Sequence, residues 1–378
     1  MKIQIDGTGT INKGAELMLY AILEQIEKRY PNAKVIYNTI GKSSSKNIKT
    51  ALNLRQPLRV RYGRYIKAFS DRLNIDDFTV HYPLKNIDIL LDASGFRLGD
   101  QFNISNKQLK DLERYYKSLK QRGTKIVLLP QSFGPFETIN GKLLVEILNK
   151  YVDLIIARDD LSKEYLLNSG GDLKKIYQLP DFTILVKGIF PQNYSFLQNA
   201  ICIIPNRKMI THTSLEVNYF YNKIAHIIEY LQNSGQLVFF LNHEGEKDLE
   251  LCTNINNYLS EKITIVDGLN AKEIKGIIGK SKLVISSRYH GVASSLNQGV
   301  PCIATSWSHK YDLLFKDFNL SGYIIDLKNE NSHVLEKIEL LLNSENALNI
   351  IKHLEKMKTE LERKVEKMWN IVWGTLNI

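Results

Sequence analysis

Ser286-Ser287-Arg288-Tyr289-His290-Gly291-Val292-Ala293-Ser294-Ser295-Leu296-Asn297-Gln298-Gly299-Val300-Pro301-Cys302-Ile303-Ala304 sets an arginine and a histidine at the head of a run of small residues. Just before it, Leu283-Val284-Ile285 is a short apolar run of the kind that forms a buried strand, and 301–305 reads as the next strand, with a helix of small residues between them. Arg288 and His290 therefore fall where a strand gives way to a helix, at the C-terminal edge of a parallel sheet. In α/β proteins that edge, with the helix N-terminus beside it, is where anions and nucleotides bind.

Working outward, the same alternation fills the second half of the chain. A strand at 200–204, a helix at 215–233, a strand at 236–241, a helix at 246–258, a strand at 263–266 and a helix at 271–279 lead into the quoted stretch. Beyond it come a strand at 323–326 and then helix, with 354–373 long and amphipathic. The first half begins with a strand at 2–6, the loop Gly7-Thr8-Gly9-Thr10-Ile11-Asn12-Lys13-Gly14, and a helix with Ala15, Leu19, Ile22, Leu23 and Ile26 on one face. The glycines at 7, 9 and 14 miss the dinucleotide spacing, so the loop is either a tight βα turn or a ligand-facing one. Strands follow at 34–39, 87–92, 125–129 and 154–157, with a helix at 105–122. The last strand delivers Arg158-Asp159-Asp160-Leu161-Ser162, where Asp159 or Asp160 can cap a helix that Gly170-Gly171 stops. The periodicity lapses at 187–198, around Gly188, Pro191 and Gln192.

The expected fold class is thus α/β: two Rossmann-like doubly wound domains facing a cleft, 1–187 and 188–350, with a helical tail at 351–378 packing back on the first domain. A length of 378 residues suits two domains, and 44% hydrophobic with 24% charged residues is a soluble globular composition. No apolar run approaches the roughly 18 residues needed to span a bilayer. The chain opens directly as a strand, without the apolar region of a signal peptide, so a cytoplasmic location is expected. Cys202, Cys252 and Cys302 stand about fifty apart with no Cys-x-x-Cys pair, which points to core thiols.

A net charge of +10 raises nucleic acid, membrane surface or anionic substrates as partners. No zinc-finger, RRM-like or basic-zipper pattern accompanies it, so no nucleic-acid partner is expected. Part of the charge sits in 41–70, where Lys42, Lys46, Lys49, Arg55, Arg59, Arg61, Arg64 and Lys67 occur without a single Asp or Glu. Leucines and aromatics are interleaved with them. Two readings stand: an interfacial surface that attracts anionic lipid, making the protein peripheral at the inner membrane face, or a solvated basic loop.

Several pieces together resemble the polysaccharide pyruvyl transferases. They are Gly9-Thr10-Ile11-Asn12-Lys13-Gly14-Ala15-Glu16-Leu17-Met18-Leu19, Pro130-Gln131-Ser132-Phe133-Gly134-Pro135, Ala157-Arg158-Asp159-Asp160-Leu161-Ser162, Leu179-Pro180-Asp181, and Ser287-Arg288-Tyr289-His290 with Gly299-Val300-Pro301 and Lys310. Their order and spacing cover most of the chain. Ala15 departs from the family, which usually has an acidic residue there, leaving Glu16 as the nearest carboxylate. The resemblance implies a fold similar to two-domain, GT-B-type glycosyltransferases. It also implies transfer of the carboxyvinyl unit of phosphoenolpyruvate to two hydroxyls of a sugar, giving a cyclic pyruvate ketal and phosphate. No cofactor is expected besides phosphoenolpyruvate as co-substrate, no residue is a metal-ligand candidate, and a lipid-linked oligosaccharide is one option for the acceptor.

The residues bear on that chemistry independently. Phosphoenolpyruvate carries a carboxylate and a phosphate, which call for guanidinium forks or helix N-termini. Arg288 and Ser287 fit at the helix entry; Arg158, at the corresponding point of the first domain, either joins the clamp or simply pairs with Asp159, Asp160 or Asp181. Lys310 either offsets phosphate charge or is a solvated lysine. Ketal formation needs protons moved near neutral pH, and His290 is the candidate for that step, with Arg288 holding charge. Asn12, Lys13, Glu16 and Gln131, in the matched opening and Pro-Gln-Ser pieces, are the acceptor-side candidates. His212, His243 and His309 match no metal-ligand spacing, and Glu244 beside His243 makes no site by itself.

Two other functions remain compatible with the sequence. A nucleotide-sugar glycosyltransferase of the same fold would place two glutamates where alignment on Gly299-Val300-Pro301 puts Ser286 and Ser294. Their absence, with Arg288 and His290 nearby, favours a small dianionic donor. A catalytically silent binding protein of a polysaccharide locus would keep the fold and release no phosphate.

Overall fold

A computed structural model describes residues 1–10, 12–37, 87–305 and 310–376, so the basic stretch 41–70 lies outside the described residues, as does the side chain of Lys310. The chain divides into two units, one of Met1–Ile11, Met18–Leu185 and Arg363–Ile378, the other of Asn12–Leu17 and Val186–Glu362.

The first unit runs β1 (Lys2–Asp6), α1 (Lys13–Arg29), β2 (Lys34–Tyr37), β3 (Ile89–Asp92), β4 (Phe96–Leu98), α2 (Asn106–Lys120), β5 (Lys125–Phe133), α3 (Ile139–Tyr151), β6 (Leu154–Ala157), α4 (Asp160–Asn168) and β7 (Ile176–Gln178). Its strands lie in the order β2-β1-β3-β5-β6-β7, with β4 pairing β5, and every pair is parallel. Strands of a parallel sheet are covered on both faces, and β3 and β6 are accordingly buried along their whole length. Helix starts are set by side chains. Ser105 and Gln108 form a capping box on α2, Thr138 caps α3, and Asp159 accepts from the Ser162 amide to cap α4.

The end of β5 differs from expectation. The strand continues through Pro130-Gln131-Ser132 to Phe133 instead of turning after 129, because Ser132 and Phe133 pair with Phe96 and Leu98 of β4. A proline inside a strand removes one donor, and here the ladder register of β5 on β6 shifts between Leu128 and Gln131. The consequence is local: Gln131 and Ser132 are lifted to the sheet's C-terminal edge beside Arg158.

The second unit runs β8 (Ile201–Ile204), α5 (Lys208–Thr211), α6 (Val217–Asn233), β9 (Val238–Leu241), α7 (Gly245–Asn256), β10 (Thr264–Val266), α8 (Ala271–Gly279), β11 (Leu283–Ser286), α9 (Tyr289–Leu296), β12 (Cys302–Thr305), α10 (Lys310–Asp317), β13 (Ile324–Ile325), α11 (Asn331–Leu342) and α12 (Ser344–Gly374). The strand order is β10-β9-β8-β11-β12-β13, again parallel throughout. Counted within the unit this is the 3-2-1-4-5-6 winding, whose order reverses between β8 and β11. The α/β fold of two parallel sheets with a C-terminal helix is therefore present. The helix α12 starts at Ser344, ten residues before the expected 354.

The last part of α12 clusters with the first unit. There Trp369 meets Phe182 edge to face at 5.7 Å, Trp373 meets Tyr30 at 5.3 Å, and the two tryptophans stack at 5.5 Å. Such aromatic pairs add about 0.5–1.5 kcal/mol each beyond their buried area. Cys202, Cys252 and Cys302 are buried and free. Among the described residues no helix is long and apolar enough to cross a membrane.

Candidate functional site

The crevice of an open α/β sheet opens where the strand order reverses, outside the strands' C-terminal ends. In the second unit that point lies between Ile204 and its register partner Ser286. The chain leaves β11 through Ser287 and Arg288, and Arg288 is the N-cap of α9. The turn is held from below. The Ser286 hydroxyl accepts from the Arg288 amide at 3.0 Å and donates to its carbonyl at 3.1 Å. The carbonyl of Ser287 accepts from Asn206 Nδ2 at 2.9 Å and from the Tyr311 hydroxyl at 2.7 Å. Ser287, expected to touch the donor, is buried with its hydroxyl on Thr305 Oγ1 at 2.5 Å, so it braces the turn.

Arg288 does not present an open fork. Its Nε donates to Asp248 Oδ2 at 2.8 Å and its second terminal nitrogen reaches the same oxygen at 2.5 Å. The first terminal nitrogen pairs with Glu244 Oε2. Glu244 and Asp248 stand one turn apart on one side of α7, which brings both carboxylates to the same guanidinium. Burial pushes the Asp248 carboxyl up to about 7 and the Arg288 guanidinium down to about 10. The two short contacts between them work the other way, and we take the pair as ionised.

The opening of α1 belongs to the same unit and completes the site. Asn12 Nδ2 donates to Glu244 Oε1 at 2.6 Å, while its Oδ1 accepts from the Ala15 amide at 3.0 Å. Lys13 Nζ contacts Glu16 Oε2 at 2.8 Å. Glu16 is buried, its pKa raised by that burial against the pull of Lys13 and of the Ala271 amide, so it ties α1 to the start of α8. Residues 12, 13 and 16, expected on the acceptor side of the first domain, thus cluster with the second unit, where Asn12 shares Glu244 with Arg288. Gly14 lies under His290, where an added Cβ would overlap the imidazole. Tyr289 contacts His290 edge to face at 5.3 Å and Tyr311 at 6.0 Å.

Sequence reasoning missed Asp248, and it weighed His243 and Glu244 only as metal ligands. His243, Glu244 and Asp248 follow β9 and line the site from the other side of the switch point. His243 is buried, and its pKa is held well below 6.5 by that burial and by Arg288, His290 and Lys13. Lys208 stands near Arg288 and Asp248, its ammonium pushed down by burial and by the Arg288 charge. The signal that could have found Glu244 and Asp248 is their spacing of one helical turn directly after a strand end, on the adjoining arm of the sheet.

In the first unit, Arg158 is buried, donating to Ser132 Oγ at 2.7 Å and facing Asp181 Oδ2 at 3.7 Å. Asp181 also accepts from the Thr183 amide and hydroxyl, and Asp159 is used as the α4 cap, so the arginine pairs with Asp181. Gln131 is fully buried, with neither side-chain nitrogen nor oxygen bonded among the described residues. A buried amide left so costs about 1–3 kcal/mol per orphaned group.

The profile of the family described as polysaccharide pyruvyl transferase matches residues 12–309. The amylovoran biosynthesis protein AmsJ of Erwinia amylovora is 19% identical over 266 residues, 64% of this chain and 61% of AmsJ, so the match spans less than two thirds of that relative. Among solved structures, HepE of Anabaena in complex with UDP and glucose is similar with a TM-score of 0.61 at 11% identity, over 100% of this chain and 99% of HepE. The MnaA–UDP structure from S. aureus gives 0.62 at 11% identity, over 100% of this chain and 96% of that one. At such identities these two structures bear on the fold alone.

Proposed function

Because the chain belongs to the polysaccharide pyruvyl transferase family, we propose that it moves the carboxyvinyl unit of phosphoenolpyruvate to two hydroxyls of a sugar. The sugar is part of a surface polysaccharide or of its lipid-linked precursor, and the products are a cyclic pyruvate ketal and inorganic phosphate. The observation that carries this reading is the placing of Arg288 and His290 on one helix-entry turn at a sheet switch point, with Lys13 and Lys208 nearby. Two anionic groups on a three-carbon donor suit that concentration of cations and amides.

The bond changes divide among these groups. The donor's C2 gains both sugar oxygens and loses the phosphate oxygen, and C3 gains a proton to become a methyl group. Of the two hydroxyl protons released, one is matched by that methyl proton and the other leaves on phosphate. Arg288 and the N-terminus of α9 hold the donor's negative charge as it moves to the leaving group. His290 takes a hydroxyl proton and returns one to C3, a role that an imidazole fills in both directions. Gln131 suits the acceptor, because a sugar hydroxyl both donates to and accepts from an amide. Arg158 and Lys310 are the further donor-side candidates that the sequence offers. The stretch 41–70 would bring the enzyme to a lipid-linked acceptor; sedimentation with anionic vesicles but not neutral ones is expected, and equal, negligible binding to both would contradict it.

A donor comparison by thermal shift tests the reading without any acceptor. Phosphoenolpyruvate at about 100 times its Kd should stabilise the protein by about 2.7 kcal/mol, while UDP-, GDP- and CMP-sugars leave its melting unchanged. Stabilisation by a nucleotide sugar and none by phosphoenolpyruvate would assign the protein to the nucleotide-sugar glycosyltransferases.

A further inference from the structure

Glu244 and Asp248 both hold Arg288, yet they are not equivalent. The Asp248 side chain is 1% exposed and takes two guanidinium nitrogens on one oxygen, whereas Glu244 is 27% exposed and takes one. Glu244 is also the N-cap of α7, the position from which a carboxylate ordinarily accepts from the helix's own first amides. It makes no such bond. Its two oxygens instead reach Arg288 and Asn12, a cation and an amide donor at the mouth of the proposed anion site.

We infer that Glu244 is a built-in anion that holds Arg288 and Asn12 until an incoming phosphate or carboxylate displaces it, while Asp248 is the permanent support that orients Arg288. This inference rests on the proposed use of Arg288 in the site. Displaced from Arg288, the Glu244 carboxylate remains within one residue of the α7 amides that it leaves unused, so the exchange strands no charge away from a partner. The arrangement also sets specificity. A weakly charged or neutral group cannot outcompete a carboxylate for a guanidinium, whereas a phosphate dianion can, so the site admits only ligands that bring an anion of their own. Asp248 stays in place throughout, since a buried carboxylate that lost its guanidinium would carry an uncompensated charge.

Calorimetric titration of the full chain with inorganic phosphate and, separately, with phosphoenolpyruvate tests this. Glu244→Gln keeps the shape and the Asn12 contact but removes the competing charge, and it should bind both anions roughly 3- to 10-fold tighter than the wild type. Asp248→Asn should bind both more weakly by a similar factor or more, and Arg288→Lys should lose most of the affinity. Unchanged or weaker binding by a folded Glu244→Gln, with Arg288→Lys still impaired, overturns the inference and leaves the proposed function standing. Unchanged binding by Arg288→Lys removes Arg288 from the anion site and overturns both. The Glu244 variant lies at the surface side of the pair, so its result stands even if Asp248→Asn fails to fold.

Discussion

Gly14 has no side chain where His290 lies against it, and that close approach joins the start of α1 to the turn that carries Arg288 and His290. Gly14→Ala is expected to displace the imidazole, lowering kcat by about 10²-fold, the usual cost of a misplacement near 1 Å, while the melting temperature hardly moves. An unchanged rate in steady-state assays would show that His290 can sit elsewhere. His290→Asn should keep donor affinity and lose about 10²- to 10⁴-fold in turnover, together with the pH limb of the rate. Lost affinity with little loss of rate at saturation would make it a ligand of phosphate instead. Arg288 and His290 were legible in the sequence because a strand end, a helix start and two polar residues coincide there. The pairing of Glu244 and Asp248 with Arg288 was not, because only the folded sheet brings the end of β9 toward the end of β11 across the intervening β8. Ser287 was legible as part of the turn, but its bond to Thr305 depends on a register that sequence does not carry.

The elements were read best where apolar runs are short and bounded, as in β6, β11 and α8, and worst where pairing rather than pattern makes the strand. The extension of β5 through Pro130 depends on β4, whose exposed Phe96 and Arg97 give it no alternation. In α3 the buried Leu144, Val145, Leu148 and Tyr151 do follow a helical period, which the sequence reading passed over. At this scale the start of α8 makes a specific test, because Asn270 accepts from the Lys272 and Glu273 amides and Glu273 reaches back to the Asn270 amide. Asn270→Ala removes one half of that box. Thermal denaturation should report a loss of about 1 kcal/mol, or roughly 2–4 °C in Tm for a unit of this size. A loss within a few tenths of a kcal/mol would mean that Glu16, bonded to the Ala271 amide, already holds the helix start.

For the molecule as a whole, the tandem of doubly wound sheets followed from the rhythm of strands and helices, whereas the clustering of residues 12–17 with the second sheet did not. A chain segment's partner is decided by burial, here of Glu16, and not by its place in sequence order. The buried cation cluster has a consequence for stability. His243 is held well below 6.5 in the folded protein, so the unfolded chain binds its proton more readily. Stability should therefore be full above about pH 6.5 and decline below it, by about 1.4 kcal/mol per pH unit for this one proton. Replacing His243 with Gln should flatten that limb in denaturant titrations between pH 5 and 7, and an unaltered slope would place the acid sensitivity in other groups. Ketal formation from phosphoenolpyruvate can be followed in one NMR time course in deuterated water with phosphoenolpyruvate and a panel of polysaccharide repeat units. Loss of phosphoenolpyruvate should be matched one for one by inorganic phosphate and by a glycan-bound methyl group carrying one deuterium. Phosphate matched by free pyruvate, or consumption of an added UDP-sugar with phosphoenolpyruvate untouched, would contradict it.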